Sequence, residues 1–99
     1  MRYVLEELRA IVDVVERDFS VLKAFGGDVE IELKDEVLVI ATIPLNYVNS
    51  FVKEARAKEW ILTNQYLIEV DGQFYAVMTF QRKDNFRKAL EKADLLVIE

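Results

Sequence analysis

The sequence predicts an α+β fold: an antiparallel four- or five-stranded sheet in the order helix, hairpin, helix, hairpin, helix, with the helices mainly on one face. Three observations carry this. The first 25 residues hold apolar side chains at helical spacing, two pairs of β-rich runs each close on a tight turn, and helical periodicity returns after each pair. A chain of 99 residues that is 53% hydrophobic, with three glycines and one proline, suits a single packed domain over residues 1–99.

From Arg2 to about Phe25, Leu5, Leu8, Val12, Val15, Phe19 and Leu22 form one stripe, widened by Val4, Ile11 and Val21. Gly26-Gly27 stops the helix, since glycine tolerates the left-handed cap. This helix either lies across a sheet or forms a dimer arm. Residues 29–34 and 37–43 read as strands around an Asp35-Glu36 turn. Pairing Lys34 with Val37 puts Val29, Ile31, Leu33, Leu38, Ile40 and Thr42 on one face. The second strand is apolar on both sides, as an internal strand would be.

Pro44 suits the first turn of a second helix, running to about Trp60 with Val48, Phe51, Val52 and Ala55 inward and Lys53, Arg56 and Lys58 outward. Two further strands flank Asp71-Gly72, a two-residue hairpin turn. Asp84 is a suitable N-cap for a short third helix with Phe86, Ala89, Leu90 and Ala93 inward. Residues 95–98 are either a last strand or the end of that helix.

Composition removes several function classes. The chain has neither cysteine nor histidine, which excludes disulfides, thiolate and imidazole metal sites and Ser-His-Asp catalysis. No convergent acid–base set, GxGxxG or P-loop is visible, so no enzyme, metal or cofactor is expected. The N-terminal run MRYVLEELRA carries Glu6 and Glu7 and reads as neither a signal peptide nor a membrane span, which points to the cytoplasm. Richness in Val, Ile, Glu and Lys without Cys resembles thermophile usage.

The net charge of −5 sits in the first half, while Lys53, Arg56, Lys58, Arg82, Lys83, Arg87, Lys88 and Lys92 concentrate in two short segments of the second. Counting outward from Asp71-Gly72 assigns Ile61, Thr63, Gln65, Leu67, Glu69, Phe74, Ala76, Met78, Phe80 and Arg82 to the core face. The other face then holds Leu62, Asn64, Tyr66, Ile68 and Val70 beside Gln73, Tyr75, Val77, Thr79 and Gln81. Aromatic rings among amides are what single-stranded nucleic acid requires: bases stack on rings, amides bond base edges and cations hold phosphates. The same face also suits ordinary sheet surface or a protein interface.

Element order together with this aromatic, amide-bearing surface near a basic second half resembles the DNA-binding domain of archaeal ThermoDBP-like single-stranded DNA-binding proteins over nearly the whole chain. The resemblance implies a cleft in which hydrophobic side chains stack bases between basic flanks. The C-terminal leucine zipper of the best-known members has no counterpart here.

The first expectation is therefore a module for single-stranded DNA or RNA. Tyr66, Tyr75, Trp60 and Phe86 would stack bases and Asn64 and Gln81 would contact base edges. Lys53, Arg56, Lys58, Arg82, Lys83, Arg87 and Lys88 would meet phosphates. The alternative is a protein-interaction or chaperone-like adaptor that homodimerises through the long helix or the outer sheet face.

Overall fold

A computed structural model describes residues 5–33, 36–84 and 86. Helix α1 (Leu5–Phe19) runs into a 3₁₀ segment, Ser20–Phe25. Strands β1 (Asp28–Leu33) and β2 (Val37–Pro44) follow, then a short 3₁₀ turn, Leu45–Tyr47. Helix α2 (Val48–Ala57) and strands β3 (Trp60–Val70) and β4 (Gln73–Arg82) complete the described elements. Among the described residues the sheet is antiparallel with order β1-β2-β4-β3, so β1 and β3 are the edges of the described sheet. The expected third helix, and the choice between strand and helix at 95–98, lie outside the described residues.

Both helices pack on one face of this sheet. Their buried side chains, Ile11, Val15, Phe19, Leu22, Val48, Phe51 and Ala55, join Val37, Val39, Ala41, Ile43, Ala76, Met78 and Phe80 in one core. Phe19 is its hub, with ring centroids 4.8 Å from Trp60, 5.5 Å from Phe51 and 5.7 Å from Phe80. Such tilted and edge-on pairs add about 0.5–1.5 kcal/mol each beyond the area they bury. A stacked pair, Phe25 on Tyr47 at 4.6 Å, ties the first 3₁₀ segment to the second.

The inward line on α1 is Ile11, Val15, Asp18 and Phe19, continued by Leu22; Leu5 and Val12 of the expected stripe are exposed. Because 3.6 residues make a turn, a line starting one residue earlier selects a different set from the same run.

The first hairpin also departs from expectation by one residue. Leu33, not Lys34, pairs with Val37, and three residues connect the strands. A one-residue slip turns every side chain of a strand over. Val37, Val39, Ala41 and Ile43 therefore face the core, while Leu38, Ile40 and Thr42 face away from it.

Pro44 ends β2 rather than opening α2: it is extended (φ −55°, ψ 139°) and pairs with Tyr75. Pairing with β1 stops at Thr42, so no β1 acceptor waits for the N–H that proline lacks. Trp60 opens β3 instead of closing α2. Glu59, at φ 69°, makes the left-handed turn between them, and its carbonyl accepts from the Lys83 N–H at 2.9 Å.

The second hairpin turns as expected at Asp71-Gly72, both with positive φ (51° and 81°), the type I′ geometry that matches strand twist. A bulge at Thr63 lies between the Leu62–Phe80 and Asn64–Thr79 pairs. Beyond it the faces exchange: Trp60 and Leu62 turn to the core and Ile61 to the outside, the reverse of the expected assignment for 61 and 62.

Candidate functional site

The side chains expected to bind fall in three places. Tyr66, Tyr75, Asn64 and Gln81 do share the outer face, away from both helices. Tyr66 pairs with Val77 and Tyr75 with Ile68, so the two rings are diagonal neighbours; the Tyr75 hydroxyl donates to Gln73 Oε1 at 3.3 Å. Asn64 stands opposite Thr79, and its Oδ1 accepts from the Gln65 N–H at 3.0 Å.

Trp60 and Phe86 do not reach that face. They are 2% and 1% exposed, packed edge to face at 5.5 Å, and offer no ring surface to a base. Lys53 and Arg56 project from α2, on the helix-covered side of the sheet. Lys58 ends that helix and reaches back to Glu54 Oε1 at 3.3 Å. Lys83 is exposed just past β4. Arg87 and Lys88 lie outside the described residues.

Arg82 belongs to a structural cluster that sequence reasoning missed. Asp18, whose side chain is 4% accessible, accepts from Trp60 Nε1 (2.9 Å) and Arg82 Nη1 (3.1 Å) on one oxygen and from Arg17 Nε (3.0 Å) on the other. Arg82 Nε donates to Asp84 Oδ1 at 3.0 Å, and its guanidinium lies 5.4 Å from the Trp60 ring centre. Asp84 Oδ1 also accepts from the Phe86 N–H at 3.0 Å. This cluster ties the end of α1 to the start of β3 and the end of β4.

Burial is the largest single influence on Asp18 and by itself would push its carboxyl up. Hydrogen bonds from Arg17 and Trp60 and the charges of Arg17 and Arg82 together outweigh burial and hold the carboxyl below the ordinary aspartate range. On sequence alone Asp18 reads as one of the charges on the surface of this helix. The available signal was its place on the line Ile11, Val15, Asp18, Leu22, spaced four, three and four. With Ala57, Lys58 and Glu59, the residues Arg17, Asp18 and Arg82 line an open depression in which Asp18 and Arg82 are already committed to each other.

The outer face has a graded character. On β1 it presents Asp28, Glu30 and Glu32; on β2 Leu38, Ile40 and Thr42; on β4 Tyr75, Val77, Thr79 and Gln81; on β3 Ile61, Asn64, Tyr66, Ile68 and Val70. Among the described strand residues it carries no Lys or Arg. Apolar exposure continues around the far half of the β3–β4 hairpin onto the other face. Tyr66 (53%), Leu67 (54%), Val70 (48%) and Phe74 (49%) are all open, with Glu69 and Asp71 the only charges between positions 60 and 81.

No family model, curated protein or solved structure matches this chain. Among the described residues, no group of three or more carboxylates is placed to hold a metal ion, and no helix is long and apolar enough to cross a membrane.

Proposed function

We propose that this chain is a protein-interaction module that works as a homodimer, with the outer sheet face and the far half of the β3–β4 hairpin as its contact surface. One observation carries the reading: the hairpin exposes large apolar side chains on both of its faces, Tyr66 and Val70 on one, Leu67 and Phe74 on the other. Single exposed apolar residues are ordinary on monomers, whereas contiguous ones rimmed by polar groups mark association surfaces. Tyr75 on the inner strand β4 and Tyr66 beside it on β3, with charge set at the far border in Asp28, Glu30 and Glu32, match the composition of protein interfaces.

Single-stranded nucleic acid is the second reading, supported by the open ring of Tyr66 beside Asn64 on one face. Its electrostatics are less favourable. The α2 cations lie across the sheet from the rings, Arg82 is held by two carboxylates, and a strand crossing toward β1 meets three acids.

The variant Tyr66→Ala/Tyr75→Ala discriminates, read by light scattering and by fluorescence anisotropy with oligonucleotides at low salt. The dimer reading expects the wild type to dimerise and the variant to be monomeric. A wild-type monomer that binds oligonucleotide, and loses that binding in the variant, reverses the ranking.

A further inference from the structure

The two sheet edges are guarded differently. An edge strand presents a row of unpaired N–H and C=O groups, which proteins blunt with charge, proline or short length. β1 has six residues and carries Asp28, Glu30 and Glu32. β3 has eleven and carries Glu69 as its sole charge, with no lysine and no proline. Five consecutive residues, Thr63 to Leu67, are exposed, so both faces of the strand are open there.

The direction of the free backbone groups follows from the ladder. In a two-residue hairpin the closing pair, Val70 with Gln73, is hydrogen-bonded, and antiparallel strands alternate from there. Ile68, Tyr66 and Asn64 thus direct their backbone groups to β4, while Glu69, Leu67 and Gln65 direct theirs away. The Gln65 N–H agrees, since it bonds Asn64 Oδ1 and not a β4 carbonyl.

Resting on the homodimer reading, we infer that β3 pairs antiparallel with β3 of a second copy about a two-fold axis at Leu67, joining two four-stranded sheets into one. Leu67 is the midpoint of Asn64–Val70, the run between bulge and turn, so this register uses all of it. Outward-directed residues oppose one another when the axis falls on a residue and not between two, and Leu67 is the central one of the three outward-directed residues. On the helix-bearing side Gln65 then faces Glu69 of the second copy, twice, with Leu67 against Leu67 between them. The Gln65 amide can donate to the Glu69 carboxylate, and no two like charges meet. On the outer side Tyr66 faces Ile68 of the second copy, an aromatic and β-branched pair that favours strand association.

This self-complementarity selects a second copy over an unrelated peptide, and an isologous pair closes at two. The acids of β1 disfavour the same pairing at the opposite edge, where two copies would bring like charges together.

Hydrogen exchange and two charge variants at one exposed position test the register. The Leu67 and Glu69 amides should gain protection in proportion to the dimer fraction, while the Gln65 N–H swaps its bond to Asn64 Oδ1 for one to the second copy. Gln65→Glu sets one acid opposite each Glu69, two like-charge pairs per dimer, and should weaken the dimer about fivefold, while Gln65→Lys should hold or tighten it. A dimer in which the Leu67 and Glu69 amides exchange as fast as in the monomer, or in which Glu and Lys at position 65 act alike, overturns strand pairing while leaving the outer-face dimer standing. A chain monomeric at every concentration overturns both.

Discussion

Removing the carboxylate of Asp18 tests the buried cluster that joins α1 to the sheet. Asp18→Ala deletes the acceptor of three donors, whose burial differs. Arg17 is 64% accessible at its side chain and returns to water at little cost. The Trp60 N–H is left buried without a partner, which costs about 1–3 kcal/mol. Arg82, 14% accessible, keeps Asp84 but loses one of its two acids, for about 1 kcal/mol more. The expected loss is about 3 kcal/mol, or roughly 12–24 °C in Tm for a domain of this size. Thermal and urea unfolding followed by circular dichroism would measure it. Trp60→Phe keeps an aromatic ring, though a smaller one, and drops the donor, so the pair of variants should show a coupling of about 1–2 kcal/mol. A loss below about 1 kcal/mol for Asp18→Ala, or strict additivity with Trp60→Phe, would refute the claim that this carboxylate holds the indole in place.

Other expectations concern stability more broadly. Because the folded Asp18 carboxyl sits below its ordinary value, its contribution is complete above about pH 4 and is lost as pH falls through the folded pKa. The gap between wild type and Asp18→Asn should therefore be flat from pH 5 to 8 and close under more acidic conditions, as read by urea midpoints at a series of pH values. Gly27→Ala should destabilise by about 1–3 kcal/mol, because a Cβ there would lie 2.5 Å from the Thr42 carbonyl oxygen and force β1 away from β2. Equilibrium unfolding measures that loss, with Gly72→Ala as a control that meets no neighbouring atom and costs only its left-handed strain. Phe19→Ala empties the hub of the aromatic cluster and should cost about 3–5 kcal/mol by the same measurement.

Much of this architecture is legible in the residues themselves, and the departures have particular causes. Asp71-Gly72 marks the second hairpin because few other residue pairs accept positive φ at both positions. The first hairpin offers no such constraint. β2 is apolar on both sides, so neither register exposes a charge in it, and only the packed structure shows that Val39 and Ala41 face the helices. The bulge at Thr63 is equally silent, since Ile61 and Leu62 are interchangeable as apolar residues until one of them must meet Phe80.

Asp18 is illegible in the sequence for a different reason. A charged residue on an amphipathic helix is usually solvated, and its partners, Trp60 and Arg82, lie 42 and 64 residues away. The tyrosine face was legible by counting pairs. Its electrostatic setting was not: whether α2 cations reach those rings depends on which side of the sheet the helix packs, and it packs on the other.

Sedimentation equilibrium over a wide range of protein concentration tests the central claim most directly. The mass should rise from 11.5 kDa toward twice that value and stop there, with the rise abolished in Tyr66→Ala/Tyr75→Ala. A mass of 11.5 kDa at every concentration, or a dimer indifferent to both tyrosines, would contradict that claim.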